Sequence, residues 1–154
     1  MSLAAEVIEK AKCSKKTVTA AESCTGGMIT AALTDIAGSS AVFECGFVTY
    51  SNEAKVDMLG VSPSSLDAHG AVSEEVAAEM ARGALEKSRA QIAVSVTGIA
   101  GPGGSEHKPE GRVCFCICTE RSLATQTVEF GALGRAQVRA AARDHALRLL
   151  IDHL

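Results

Sequence analysis

The chain reads as an α/β protein, a three-layer α/β/α domain with a mixed sheet. Short apolar runs of β type alternate with stretches of helical apolar spacing through the first two-thirds of the chain. Two strand-like runs then follow each other directly near the end, which adds a hairpin to an otherwise parallel pattern. No linker or shift in composition divides the 154 residues, so residues 1–154 are expected to form one domain.

Each element has its own signal. The opening stretch to Lys12 reads as a helix and residues 17–21 as a short strand. The spacing predicts a helix over residues 28–36, with Met28, Ile29, Ala32, Leu33 and Ile36 on one stripe, ended by Gly38-Ser39-Ser40. Residues 41–50 read as a strand with Gly46 as a candidate bulge. Ser51 is a candidate N-cap for a helix that runs to Leu59 and closes at Gly60. Pro63 starts a short turn or helix toward His69-Gly70. Ser73 caps the next helix, with Glu74 and Glu75 in its first turn and Val76, Met80 and Leu85 inside. Residues 91–96 form an apolar strand that empties into a glycine-rich loop over residues 97–104. Residues 112–119 and 123–130 are the strand pair, residues 131–134 a loop, and the last helix starts at about Arg135, with Val138, Ala142, Leu147, Leu149 and Leu150 apolar.

Composition excludes several classes of function. The chain has no Trp, one Tyr and four Phe, which argues against stacking bases on aromatic platforms. Its net charge is −3 and no block of Lys or Arg stands out, so a nucleic-acid partner is not expected. The N-terminus lacks the apolar core of a signal peptide and no stretch is long enough to span a membrane, which predicts a cytoplasmic protein with no membrane partner. The six cysteines (Cys13, Cys24, Cys45, Cys114, Cys116, Cys118) include no CxxC pair. Cys114, Cys116 and Cys118 alternate with Val113, Phe115 and Ile117, which on a strand puts the three sulfurs on one face about 7 Å apart. That spacing is wide for a disulfide and needs a fourth ligand for zinc, so they read as buried, reduced thiols. His69, His107, His145 and His153 are scattered. No metal and no cofactor is therefore expected.

Four segments can carry chemistry. Ser23 and Cys24 sit at a strand-to-helix junction beside Gly26 and Gly27, where a side chain is exposed and backbone N–H groups converge, although the same residues also suit a plain cap. Tyr50 is the sole tyrosine, and Lys55 falls in the first turn of a helix. A cation there faces the positive end of the helix dipole, which lowers its pKa and suits it to act as a base toward a hydroxyl, unless it is a solvated surface lysine. The loop from Thr97 and Gly98 through Gly101 to Gly104 brings backbone close to a ligand but matches neither a P-loop nor a dinucleotide fingerprint. Arg135 and Arg139 lie four apart on one helix face near its start, and arginine there suits phosphate, with the choice between the two left open.

Taken in order, these blocks resemble the CinA C-terminal domain family. Ala21-Glu22-Ser23-Cys24-Thr25-Gly26-Gly27 is similar to its AESCTGG signature. Residues 46–55, 69–73 and 97–102 are similar to further blocks, and Lys108-Pro109 with Gly111 to the segment after the glycine loop. The resemblance spans almost the whole chain. It implies a mixed five-stranded sheet between helical layers and, since the family includes stand-alone nicotinamide-nucleotide amidohydrolases, the conversion of nicotinamide mononucleotide to nicotinate mononucleotide and ammonia. It implies Ser23 as nucleophile with Lys55 and Tyr50 completing a Ser-Lys-Tyr arrangement. Thr25, Gly26, Gly27, Thr97, Gly98, Gly101 and Arg135 are implied as the substrate-binding set, and a homo-oligomer as the assembly. In larger family members this domain follows a molybdopterin-binding-like domain, whose activity is not carried over to 154 residues. The family's acidic residue before the arginine is Gly134 here, and the loop at Gly101–Ser105 is one residue shorter. Two other readings are a nucleotide-binding module of competence/damage-inducible type without turnover, and a thiol amidase using Cys24.

Overall fold

Local chemistry sets the helix ends. A computed structural model describes residues 1–154. Helix α1 (Leu3–Ser14) starts at Ser2, whose hydroxyl accepts the Ala5 N–H at 3.1 Å. Strand β1 (Val18–Glu22) is buried throughout and leads into α2 (Met28–Thr34). A single 3-10 turn (Ser39–Ala41) precedes β2 (Phe43–Val48). Helix α3 (Asn52–Leu59) begins at Ser51, which accepts the Ala54 N–H at 3.0 Å, and ends at Gly60 in the left-handed region, as the sequence predicts. Helix α4 (Pro63–His69) starts on its proline, and α5 (Glu74–Glu86) on the Ser73 hydroxyl. Strands β3 (Ile92–Gly98), β4 (Arg112–Thr119) and β5 (Leu123–Glu129) follow, and α6 (Arg135–His153) closes the chain.

The strand order is β2-β1-β3-β4-β5. Strands β2, β1 and β3 run parallel, while β4 and β5 continue antiparallel from β3. This is the mixed five-stranded sheet that the resemblance implies, and the two apolar clusters on its faces make it the middle of three layers. On one face Val18, Ala20, Val94, Val113, Phe115 and Ile117 pack with α1, α2 and α6. On the other, Ala21, Ala93, Cys114, Cys116 and Cys118 pack with Leu59 of α3 and Val76, Ala77, Met80, Ala81 and Ala84 of α5. The alternation of β4 therefore divides as expected, sulfurs to one layer and Val113, Phe115 and Ile117 to the other. Helix α5 lies close on α3, because a Cβ at Gly83 would run into the Leu59 backbone.

Several boundaries differ from the sequence reading. Helix α1 continues to Ser14, α2 stops at Thr34 rather than Ile36, and β2 begins at Phe43 after the 3-10 turn. The irregularity in β2 falls at Glu44, not at Gly46: Val18 pairs with Phe43 and Thr19 with Cys45, leaving Glu44 as the extra residue. Gly46 is small for another reason, since a Cβ there would collide with the Thr30 side chain of α2. Strand β3 runs through Thr97 and Gly98, which the sequence placed in the loop, because β4 extends past the parallel partner and pairs Thr97 with Cys114 and Gly98 with Val113.

All six cysteines are free, with Cys24, Cys114, Cys116 and Cys118 buried and Cys13 exposed. Burial pushes the Cys116 thiol up to about 12, so it stays protonated. Titration of the denatured protein without reductant should count six thiols. A thiol reagent on the native protein should modify Cys13 first and reach the four buried thiols only as the chain unfolds. A rapid native-state reaction at the β4 thiols would contradict this packing.

Candidate active site

The connection after β1 leads to β2 on one side and the connection after β2 returns to β3 on the other, so the carboxyl ends of β1 and β3 flank the point where the winding reverses. Open α/β sheets bind ligands at such a point. Ser23 is the first residue beyond β1. Its N–H donates to Val96 O at 3.0 Å and its carbonyl accepts the Gly26 N–H at 3.0 Å, which fixes the backbone beneath its hydroxyl.

The turn is also held from below. Glu22 is fully buried, and its carboxylate accepts five hydrogen bonds: from the hydroxyls of Thr25 (2.6 Å) and Thr30 (2.8 Å) and from the N–H groups of Gly27, Ile29 and Thr30 (2.9–3.1 Å). The carboxylate thus caps α2, which has no side-chain cap of its own at Gly27. From α6, Arg139 donates to the carbonyls of Cys24 (2.9 Å) and Thr25 (3.2 Å). Glu22 and Arg139 were not assigned these positions from sequence. A signal for Glu22 exists, an acid ending a buried strand with threonines three and eight residues on, ahead of a helix that opens on Gly-Gly.

Lys55 projects from α3 into the same turn and is 1% exposed. Its Nζ lies 2.9 Å from Ser23 Oγ, 3.0 Å from Thr49 O and 3.3 Å from Tyr50 O. The two carbonyls are acceptors only, so Nζ must donate to both. The third direction faces Ser23 Oγ, to which the protonated amine donates and the neutral amine turns its lone pair. No carboxylate forms a salt bridge with it. Burial holds its pKa below the ordinary lysine value, with opposing contributions from Cys24 and Glu106. The lowered pKa matches the sequence reading, with burial as its largest cause. The neighbouring Cys24 thiol is pushed up to about 11 by burial, which keeps it protonated.

The cavity above Ser23 has a volume of about 370 Å³. Its wall includes Tyr50, Lys55, Thr97, Gly98, Gly101 and Arg135 of the sequence-predicted set. Thr97 is buried and donates its hydroxyl to Ala71 O at 2.9 Å. Arg135 donates to Gly101 O at 2.7 Å and to the Tyr50 hydroxyl at 2.9 Å. Tyr50 therefore meets Lys55 through its carbonyl and Arg135 through its hydroxyl. Thr25, Gly26 and Gly27 are not part of the cavity wall: Thr25 is buried on Glu22, Gly26 abuts Arg139 and Gly27 starts α2. The two arginines also separate, Arg135 toward the cavity and Arg139 toward the backbone of the turn. No three His, Cys, Asp or Glu side chains converge as a metal site. A larger cleft of about 870 Å³ at the opposite end of the sheet, around Arg82, Glu86 and Arg121, holds no hydroxyl or thiol bonded to a basic side chain. No helix is long and apolar enough to cross a membrane.

A family model described as the CinA C-terminal domain matches residues 1–154. The nicotinamide-nucleotide amidohydrolase PncC of Escherichia coli (strain K12) is 53% identical over 151 residues, 97% of this chain and 92% of that protein. A CinA-like protein of Chlorobaculum tepidum is 61% identical over 107 residues, 69% of this chain and 25% of that protein. The crystal structure of the competence/damage inducible protein CihA from Agrobacterium tumefaciens has a TM-score of 0.94 at 49% identity, over 97% of this chain and 92% of that one.

Lys55 should leave a signature in stability. Below its folded-state pKa the amine is protonated whether the chain is folded or not. Between that value and the ordinary 10.5, only the unfolded chain holds the proton. Raising the pH through this window therefore favours the folded state, by up to about 1.4 kcal/mol per pH unit. Urea denaturation of wild type and Lys55→Met, compared between pH 6 and pH 10, should show the wild type gaining on the variant as pH rises. Parallel curves would show that Lys55 titrates as it does in water.

Proposed function

Since this chain belongs to the CinA C-terminal domain family, we propose that it hydrolyses the carboxamide of nicotinamide mononucleotide to nicotinate mononucleotide and ammonia, with Ser23 as nucleophile and Lys55 as its base. The observation that carries this reading is the 2.9 Å contact between Ser23 Oγ and an amine that burial favours in its neutral form. The relatives named nicotinamide-nucleotide amidohydrolase supply the substrate class.

The geometry supports the following course of reaction. Lys55 Nζ takes the Ser23 proton as Oγ attacks the carboxamide carbon. The carbonyl oxygen becomes negative and needs donors. The amino end of α2 is occupied, because Glu22 accepts its N–H groups. The N–H groups of Cys24, and of Ala100 and Gly101 in the glycine loop, belong to cavity-wall residues and donate to no protein oxygen, which makes them the candidates to hold that charge. Lys55, now protonated, returns its proton to the leaving nitrogen, and ammonia departs from an acyl-Ser23 ester. Water gives a proton to Lys55 and attacks the ester, and the proton returns to Ser23 Oγ as the carboxylate product leaves. Arg135, at the uncapped start of α6, is the group on the cavity wall suited to the substrate phosphate, and its bonds to Gly101 and Tyr50 hold it in place. The high thiol pKa of Cys24 speaks against the thiol reading.

Ser23→Ala should lose ammonia release by several orders of magnitude and still bind the nucleotide. Lys55→Arg should also fail, because arginine keeps its charge. Cys24→Ala should stay active. Turnover by Ser23→Ala within about tenfold of wild type would overturn the nucleophile.

Arg135→Ala should cost about 1.5–3 kcal/mol in kcat/KM, the range of a charged hydrogen bond, mostly through KM. Nicotinamide riboside, which lacks the phosphate, should be almost unaffected. An equal loss on both substrates would remove the phosphate role.

A further inference from the structure

A nicotinamide ring joined to ribose through its nitrogen is a pyridinium cation. The proposed substrate thus carries a positive charge between its carboxamide and its phosphate. The cavity wall carries charges of both signs. Arg135 and Lys55 are the cations on its wall, and Glu106 is the only carboxylate there. We infer that Glu106 reads the positive ring and makes this a site for pyridinium amides in preference to neutral ones. The inference rests on the nucleotide reading above and names the part of the substrate that reading leaves unaccounted for.

The backbone around Glu106 supports the assignment. Ser105 and Lys108 exchange both backbone hydrogen bonds, at 3.0 and 2.8 Å, so Glu106 and His107 form a two-residue turn. Both have positive φ, 52° and 64°. Turns of this kind normally place Asn-Gly at these positions, because L side chains crowd the backbone there. An acid and a histidine are therefore held in a conformation that their own chemistry disfavours. The hold is visible: Lys108 Nζ donates to the carbonyls of His69 and Val72 at 2.6 Å each, which pins the turn to the end of α4 and to the α4–α5 connection, where Val72 lines the cavity. Positive φ at non-glycine residues persists where the surroundings impose it, and such positions cluster at ligand clamps. Glu106 also acts electrostatically on Lys55, which places it near the amine at the cavity floor.

The charges that face Glu106 are few. Lys108 sits beside it across Gly70, since a Cβ at Gly70 would meet both Glu106 Oε2 and Lys108 Nζ. Both bonds of Lys108 go to carbonyls, however, and it forms no salt bridge with Glu106. The carboxylate is thus left without an ion partner within the protein, beside a cavity proposed to receive a cation.

The test compares two ligands with the same amide, ribose and phosphate: nicotinamide mononucleotide, and the C-glycosidic benzamide ribotide, whose ring is neutral. Calorimetric binding to Ser23→Ala and to Ser23→Ala/Glu106→Gln avoids turnover. The added Glu106→Gln should weaken the pyridinium nucleotide about fivefold and leave the benzamide ribotide unchanged. Glu106→Asp should keep most of the discrimination, and raising the salt concentration should shrink it. Glu106→Asn, which tolerates positive φ, should raise the thermal midpoint while abolishing the preference. Equal weakening of both ligands, or of neither, overturns the role of Glu106. Ammonia release by the wild type is measured alongside. Charge discrimination without ammonia release would remove the amidase reading and keep Glu106. Failure of nicotinamide mononucleotide to bind would remove both.

Discussion

A primary amine taken out of water, with neutral oxygens as its only hydrogen-bond partners, sets the terms for everything around it. Lys55 touches Ser23 Oγ and two backbone carbonyls and has no carboxylate to offset its charge. Burial lowers the pKa of such a group and so favours its neutral form, the form that removes a proton from serine. The fold must therefore bring two carbonyls, from Thr49 and Tyr50, and one hydroxyl to a single nitrogen. It does so by ending β2 alongside β1, so that the turn after β2 lies across the turn after β1.

The serine side of this contact is stiffened by charge of the opposite kind. Glu22 immobilises the chain from Thr25 to Thr30 by taking five donors. Arg139 takes two carbonyls on the other side of the same turn. A carboxylate below and a guanidinium beside it leave the hydroxyl of Ser23 little freedom, although neither touches the cavity. The division of work between Arg139 and Arg135 follows from helix geometry, since four residues along α6 is one turn, about 5–6 Å of travel. That distance separates the backbone of the turn from the open mouth.

Much of this was legible in the sequence because its signals are local. Ser51, Gly60, Pro63 and Ser73 act within a few residues of themselves, and the helices they bound fall where expected. The alternation in β4 likewise needs only the two-residue period of a strand. What was not legible depends on partners distant in sequence. The length of β3 is set by β4, and the irregularity at Glu44 by the register with β1. Gly46 reads as a bulge until Thr30 is seen above it. Ser23 and Lys55 were found as candidates, but their 2.9 Å contact spans 32 positions of sequence, and local spacing cannot supply it. Glu22 was missed for a related reason: a buried acid is credible only once the donors that surround it are in place.

The contact between Gly83 and Leu59 links this chemistry to a place far from it. Backbone meets backbone there, because any Cβ on Gly83 would occupy the position of the Leu59 carbonyl. Leu59 lies one turn along α3 from Lys55, on a helix of only eight residues, so the two move together. The seating of α5 against α3 thus acts as a gauge for how deep the amine reaches. Adding one methyl group at Gly83 would lift α3, and a proton-transfer distance would record the change. A survey of tolerated substitutions would then mark Gly83 as catalytically constrained, although nothing it touches takes part in the reaction.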